Sequence, residues 1–256
     1  MVPSIHLHAR PGMPRKPCVG HLIALMSLVM AAICNVSQAR AAGAAFAVDT
    51  SEISETGACK VEAWQSWASN RDNVSTANPA CVVDIFRPVE VSAQVVRSRA
   101  DDEWATTVIP KAKTKIVPTQ IGSFGLALAA GTAYDLTTSE NTAVFAYAPA
   151  TLRLSEVVRI NVNGGWLWDR TVDQHYLIYG IGVDWRLTKI LTLTVETFGQ
   201  AGSAEVSAAT QPRFQAGLRL RPIDTLSFDV IYGQNVYGED AHWVTVATTV
   251  RFPPPK

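Results

Sequence analysis

The sequence predicts an all-β protein: a transmembrane, antiparallel, up-and-down β-barrel of about 10 to 12 strands, twelve being the best count, after a cleaved signal peptide. Three observations support this fold class. Apolar and polar residues alternate with a period of two over most of the chain, no apolar run reaches the roughly 20 residues of a transmembrane helix, and the chain starts with a basic, then apolar, then small-residue leader. Strands would therefore cross the membrane.

The leader is the first element of the chain. It begins with basic residues and no acidic one, continues with the apolar run LIALMSLVMAAIC from Leu22 to Cys34, and ends in the small and polar residues NVSQARA. This order is that of a secretory signal peptide, and Ala39 and Ala41 fit the small-x-small cleavage rule. The sequence thus predicts a signal peptide over residues 1–41 and a barrel domain over residues 42–256. Cleavage two residues earlier or three residues later stays open.

Composition excludes several function classes. Only 17% of the residues are charged, compared with about 25% in an average protein. Four of the 22 basic residues and none of the 22 acidic residues lie in the leader, so the mature chain has 18 basic and 22 acidic residues. This balance predicts no nucleic-acid partner. The sequence contains neither a glycine-rich phosphate loop nor a cluster of metal ligands, so we expect no cofactor and no metal.

The two cysteines beyond the leader, Cys59 and Cys81, are predicted to form a disulfide. An exported protein folds in an oxidising compartment, where paired cysteines are the default. The first two predicted strands form a hairpin around Asn70, and both cysteines lie at its open end, at equal spacing from the turn. Residues so placed are cross-strand neighbours.

The strands follow from the alternation, which is clearest in the C-terminal segment HWVTVATTVRF. From His242 to Phe252 most even positions are apolar, whereas the odd positions are Trp, Thr, Ala, Thr and Arg. The even residues should face lipid and the odd residues the lumen, with this last strand pairing with the first to leave no open edge. The same period predicts strands over approximately 59–68, 73–83, 88–98, 103–116, 121–134, 141–152, 156–168, 174–187, 190–200, 212–221, 225–235 and 242–252.

The connections between these strands alternate in character. FRP, VPTQ, LSE, LTK and RPID are compact, whereas NRDN, RADD, LTTSEN, TVDQ, SAEVSAATQ and YGEDA are more polar and often longer. Short turns on one side and longer loops on the other are typical of outer-membrane barrels, with the N-terminus on the periplasmic side.

A soluble β-sandwich is the alternative fold. Its strands are usually about five or six residues long, whereas a membrane strand needs about 9 to 11, and the predicted strands are mostly of the longer kind. Aromatic residues near predicted strand ends, among them Trp104, Trp166, Tyr176, Trp185 and Trp243, indicate two interfacial girdles. Aromatic residues filling a soluble core are the other interpretation.

Several segments resemble a known family. RINVNGGWLWDR, YGIGVDWRLTKILTLTVETFGQ, PRFQAGLRLRPIDTLSFDVIYGQN and the C-terminal VRF resemble the outer-membrane barrels of the meta-pathway phenol-degradation family, clearly from Arg159 onward and loosely before it. The resemblance implies a channel or uptake protein in the outer membrane of a Gram-negative bacterium. Its implied partners are outer-membrane lipid and small solutes, including aromatic compounds.

Charged residues concentrate on the register opposite the apolar face. A cation facing the bilayer midplane would cost about 2 to 4 kcal/mol, so these residues should point into the lumen. The predicted pore-lining residues are Lys111, Lys113, Arg159, Asp184, Arg186, Glu196, Arg219, Arg221 and Asp229. A ring of Arg and Lys in a water-filled pore favours anions. The other interpretation is that the charges pair across the barrel and fill it.

Three function classes follow. The first is a porin-like channel for passive uptake of small solutes, anionic or aromatic. The second is a closed structural or receptor barrel that presents its extracellular loops. The third and weakest is a lipid-modifying barrel enzyme, because only His175 and His242 remain beyond the leader and no serine in a recognisable context stands beside either. We therefore predict no enzyme and no catalytic residue, and the oligomeric state stays open.

Overall fold

The computed structural model describes residues 45–100, 102–202, 210, 212–237 and 240–254. The predicted signal peptide, residues 1–41, lies outside them and stays a prediction. Twelve antiparallel strands form a closed barrel, which confirms the predicted fold class. The strands are β1 (Cys59–Ala68), β2 (Asn73–Asp84), β3 (Pro88–Ala100), β4 (Glu103–Val117), β5 (Phe124–Asp135), β6 (Glu140–Arg153), β7 (Val158–Asp169), β8 (Gln174–Arg186), β9 (Leu191–Gly202), β10 (Arg213–Ile223), β11 (Leu226–Asn235) and β12 (His242–Phe252). Within the described ranges, no helix has both the length and the apolar character needed to cross a membrane.

The last strand closes the barrel against the first, as predicted. β12 pairs with β11 on one side and with β1 on the other, where Val250 lies opposite Val61 and Ala247 opposite Trp64. All other pairs join strands that are consecutive in the chain. Closure satisfies the backbone groups that an open edge would leave without partners in lipid.

The predicted register of β12 is also confirmed. The odd residues Trp243, Thr245, Ala247 and Thr249 are buried inside the barrel, and the even residues Val244, Val246, Val250 and Phe252 are exposed on its outer surface. The other strands alternate in the same way, so the outer wall is a continuous apolar surface. Such a band is what the hydrocarbon of a bilayer requires.

The two ends of the barrel differ in the connections between their strands. We call the end with Cys59 and Phe252 the terminal end and the opposite end the loop end. The difference in connection length is smaller than the sequence suggested: residues 118–123 connect β4 to β5 at the terminal end, whereas residues 101–102 suffice between β3 and β4 at the loop end. The predicted asymmetry rests mainly on the long connection between β9 and β10.

Exposed aromatic residues lie near both ends of the outer wall. Those near the loop end include Trp67, Trp104, Tyr134, Trp166 and Tyr232; those near the terminal end include Phe86, Phe124, Trp185 and Phe252. Two residues assigned to the girdles, Tyr176 and Trp243, instead point into the barrel, where they are 7% and 1% exposed. Their strand register, and not their position near a strand end, decides which way they face.

The predicted disulfide joins Cys59 and Cys81. These residues are direct register partners in the β1–β2 hairpin, with Cα atoms 4.0 Å apart. The bridge closes the hairpin at the terminal end, just after the chain enters the barrel wall.

Apolar side chains of β2 to β8 form a buried cluster in the loop-end half of the interior, which we call the apolar layer. Its members are Val74, Val96, Ile109, Ala129, Ala133, Ala143, Phe145, Tyr147, Leu167, Tyr176 and Ile178. Two of its aromatic side chains lie over glycines of the neighbouring strand: a Cβ at Gly131 would overlap the Phe145 ring, and one at Gly202 would overlap the Tyr176 ring. Small residues opposite these rings let them pack closely against the wall, and buried polar residues such as Asp135, Asp169 and Arg213 share this half of the interior.

Candidate functional site in the barrel interior

The terminal-end half of the interior contains a stretch of chain that precedes the first strand. Residues 45–58, which we call the N-terminal segment, lead into β1; residues 45–52 contact the inside of the wall, and residues 55–57 are exposed. The segment makes polar contacts with inward-facing side chains of β4, β6, β7, β9 and β10. These residues were predicted to belong to the barrel domain, but their place in its lumen was not predicted.

The first residues of the segment are held by Glu196 on β9. The Glu196 carboxylate accepts hydrogen bonds from the backbone N–H groups of Ala47 and Val48, the latter at 3.1 Å, and from the side-chain amide of Gln215. Ala47 and Val48 also pack against Phe198 and Trp243 in a second cluster of buried apolar side chains. Glu196 therefore anchors a backbone turn and is not free to line an open pore.

Asp49 lies at the centre of the contacts between segment and wall. Its carboxylate receives the Lys113 ammonium at 2.8 Å and the Tyr147 hydroxyl at 2.9 Å, and Lys111 lies 3.7 Å away. The Asn163 amide bonds the backbone of Asp49 on both sides, at 2.9 Å to its carbonyl and 2.6 Å to its nitrogen. Burial would raise the pKa of Asp49, but the lysine charges outweigh burial and hold the pKa well below its usual range.

Ser51 ties the segment to the wall nearer the terminal end. Its backbone N–H donates to Thr151 Oγ1 at 2.9 Å, and its hydroxyl lies 2.8 Å from the Thr119 hydroxyl. The close approach requires glycine at position 125, because a Cβ there would overlap Thr119 and lie 2.7 Å from Ser51 Oγ. The wall is thus shaped to receive the segment.

Glu52 completes the contacts through Arg159 on β7. The Arg159 guanidinium donates to Glu52 at 3.1 Å and to Asp184 on β8 at 2.6 Å. Asp184 also accepts hydrogen bonds from Asn161 and Thr194, at 2.9 and 2.6 Å. Asp184 is thus held by three side chains of the wall, whereas Glu52 belongs to the N-terminal segment, which lies outside the sheet.

Arg219 and Asp229 form a bidentate pair across β10 and β11. The two nitrogens of the guanidinium lie 2.7 and 3.0 Å from the two carboxylate oxygens, and Asp229 is only 1% exposed. The Arg219 guanidinium also lies over the ring of Phe46 in the segment, 5.0 Å from its centroid.

The nine predicted pore-lining residues all lie on the inward register, but most are occupied. Lys111, Lys113, Arg159, Asp184, Glu196, Arg219 and Asp229 form ion pairs or hydrogen bonds with the segment or with each other. Arg186 and Arg221 form neither a salt bridge nor a side-chain hydrogen bond with any described residue. Pairing inside the barrel, the second interpretation of the sequence, therefore describes the first seven residues. A pore-lining role of the nine stays a prediction.

Two water-accessible cavities remain in the terminal-end half. One, of about 500 Å³, opens at the terminal end and is lined by six basic residues, Arg153, Arg159, Arg186, Lys189, Arg219 and Arg221. We call it the basic cavity; its acidic residues are Glu52, Glu156, Asp184 and Asp224. The second, of about 330 Å³, lies deeper between the segment and β1 to β3, and shares Glu52, Arg159 and Arg221 with the first.

The sequence analysis missed the residues of the segment itself. Asp49 and Glu52 lie before the first strand, where no period of two indicates a direction. The sequence contains one indirect indication of these contacts. Lys111, Lys113 and Arg159 face inward, and their charges need more carboxylates than the neighbouring strands carry. Acidic residues shortly before β1 can supply them.

The remaining candidates for chemistry lie elsewhere. His175 lies on the outer wall, stacked with Trp166 and Trp168 at 5.5 and 5.8 Å between ring centroids, and His242 packs near Tyr232. These contacts are those of interfacial side chains. Within the described ranges there is no group of three or more residues that could hold a metal ion.

Comparisons with known proteins show the family of the chain and the solved structures that share its fold. The model of the family described as "Uncharacterised conserved protein UCP029691" matches residues 29–252. The chain belongs to this family. Its model, not that of the phenol-degradation family, is the one that matches, and the chain has the fold of outer-membrane β-barrels. A search of curated proteins finds no match.

Solved structures share the fold at low sequence identity. The KdgM porin in complex with disordered oligogalacturonate matches with a TM-score of 0.58 and 10% identity, covering 75% of this chain and 99% of that chain. The NanC porin matches with 0.60 and 8%, covering 74% and 98%. An outer membrane channel from Pseudomonas putida F1 matches with 0.57 and 11%, covering 78% and 97%.

Proposed function

We propose that the protein is an outer-membrane channel for passive uptake of small anionic solutes, and that the N-terminal segment occupies its lumen in the closed state. The observation that carries the proposal is the terminal-end half of the interior, where charged side chains of a closed barrel surround a stretch of chain that is not part of the wall.

The wall and the interior support different parts of the proposal. The apolar outer band suits outer-membrane lipid as the surrounding partner. Inside, the basic cavity has six basic and four acidic lining residues, and this excess of positive charge at the mouth favours anions. The structural likeness to porins supports a channel over a lipid-modifying enzyme, as does the absence of a serine paired with the His175 or His242 imidazole among the described residues.

The second candidate solute class is aromatic compounds, which the resemblance to phenol-degradation barrels implies. The apolar layer favours it, because a solute crossing the loop-end half must pass Phe145, Leu167 and Tyr176. Liposome swelling with benzoate and with butyrate separates the two classes. Faster entry of benzoate would favour aromatic uptake, and equal entry would favour charge alone.

Planar-bilayer recording in a salt gradient tests the channel. The mature chain should show a reversal potential on the anion side. Arg186→Gln with Arg221→Gln should shift it towards zero, whereas Arg71→Gln with Arg170→Gln, which removes the same charge at the loop end, should not. We choose these arginines over Arg219, whose charge is tied to Asp229. A cation-selective pore would contradict anion preference, and no conductance with the segment deleted would favour the closed structural barrel.

A further inference from the structure

The wall of the basic cavity places like charges next to one another. Arg153 on β6 and Arg159 on β7 are direct register partners, both on the inward face. One strand further, Thr192 on β9 separates Arg186 from Arg219. Like charges directly opposite on neighbouring strands destabilise a sheet. An anion between the cations relieves this repulsion.

The protein itself balances only part of the positive charge: six basic and four acidic residues line the cavity, and of these acids Glu156 and Asp224 form no salt bridge with a described residue. Asp184 and Asp229 pair with Arg159 and Arg219. The side chains of Arg153, Arg186 and Arg221 form no salt bridge or hydrogen bond with the part of the chain that is described, although all three line the cavity. Guanidinium groups bind carboxylates and phosphates through paired N–H donors. Three such groups are therefore available around a volume of about 500 Å³.

One anion in the cavity comes from outside the wall. Glu52 of the N-terminal segment reaches Arg159 with its carboxylate at 3.1 Å, and its side chain is 39% exposed to the cavity. Asp184 already binds the same guanidinium at 2.6 Å. The Arg159–Glu52 contact thus shows how a carboxylate binds in the basic cavity. Because Glu52 is not part of the wall, the carboxylate of a solute can take its place.

We propose that the basic cavity is a binding site for solutes with two or more carboxylate or phosphate groups, and that a bound solute replaces Glu52 on Arg159. One acidic group lies between Arg186 and Arg221, and a second takes the place of Glu52. Because Glu52 is one of the contacts that hold the N-terminal segment, solute binding weakens the seating of the segment. This inference rests on the proposed channel function, but the binding itself does not require conduction.

Titration calorimetry of the full mature chain in a neutral detergent, with citrate as probe, tests the site. Arg186→Gln with Arg221→Gln should weaken citrate binding about tenfold or more, since charge-assisted hydrogen bonds are lost. Arg71→Gln with Arg170→Gln should change it by less than about twofold, since these charges lie at the other end. Unchanged affinity in the first variant would overturn the site. A heat-shifted mobility on gels confirms that each variant is folded.

The competition with Glu52 needs its own variant. Glu52→Gln should tighten citrate binding about threefold, because the internal carboxylate no longer competes. Weaker or unchanged binding would show that Glu52 and the solute do not share Arg159. Inorganic phosphate should compete with citrate, and phosphatidylglycerol in the micelle should not; competition by the lipid would assign the cavity to a headgroup. Citrate binding without bilayer conductance would refute the channel and leave the site.

Discussion

The two halves of the barrel interior bury their inward-facing side chains in different ways. At the loop end, apolar side chains of the wall pack against one another, with Phe145 and Leu167 each about 1% exposed. At the terminal end the wall carries charged groups, and the N-terminal segment provides anions for them through Asp49 and Glu52. The first half is held by contacts within the wall, and the second by contacts between the wall and a separate stretch of chain.

This difference indicates which half can move. Close-packed apolar side chains lose dispersion and burial together when they separate, so the apolar layer resists opening. The contacts of the segment are hydrogen bonds and ion pairs, which water or a solute can replace at a modest net cost. We therefore expect the apolar layer to determine stability and the segment to determine whether the terminal-end half is open.

Truncation in the apolar layer should have the largest effect. Phe145→Ala should lower the free energy of unfolding by about 3 to 5 kcal/mol, the usual cost of deleting a buried aromatic side chain. Reversible urea unfolding in lipid or detergent measures it. Phe86→Ala, which removes a fully exposed ring at the terminal end, is the control and should leave the midpoint nearly unchanged. An equal loss of stability in Phe145→Ala and Phe86→Ala would mean that Phe145 does not lie in a packed core.

Breaking the Arg219–Asp229 pair should rank second. Arg219→Ala leaves Asp229, 1% exposed, without its bidentate partner, and should cost about 2 to 3 kcal/mol of unfolding free energy. Removing both charges, Arg219→Ala with Asp229→Ala, should recover part of the loss. A double variant as unstable as the sum of the two single ones would show that the pair is not coupled.

Weakening the seat of the segment should have the smallest effect on the barrel. Asp49→Asn loses the ion pair with Lys113 and should favour release of the segment by about 1 to 2 kcal/mol, with little change in unfolding of the wall. Hydrogen exchange of residues 45–58 measures it. If β1 to β12 lost protection to the same extent, the segment would be part of the core.

Low pH should favour release of the segment, as Asp49→Asn does. Because the pKa of Asp49 is lowered in the folded state, its contribution is complete above the usual carboxyl pKa of about 4 and is lost as the pH falls through the lowered value. Protection of the segment against hydrogen exchange, corrected for the slower intrinsic exchange in acid, should therefore fall on acidification in the wild type, and less so in Asp49→Asn. An identical acid response in both would assign the titration to another group.

Much of the wall could be predicted from the sequence, because a period of two determines both the strands and the direction of each side chain. Trp243 shows the strength of this rule: its odd position places it inside, although its place near a strand end suggested the interface. The N-terminal segment could not be predicted, because residues 45–58 have no period and their hydrogen bonds with the wall span from 64 residues, between Asp49 and Lys113, to 170 residues, between Ala45 and Gln215. Which arginines of the lumen form ion pairs also depends on these contacts with the segment.

The most direct test of the segment as the movable part is to lock it. Ser51 and Thr119 have hydroxyls 2.8 Å apart, so Ser51→Cys with Thr119→Cys should form a disulfide between segment and wall. We expect the oxidised double variant to conduct less than the wild type in planar bilayers, and reductant to restore conductance, while the wild type and Ser51→Cys alone, which keep only the Cys59–Cys81 bridge, should respond little to reductant. Wild-type conductance with the lock confirmed in place would contradict a gating role for the segment.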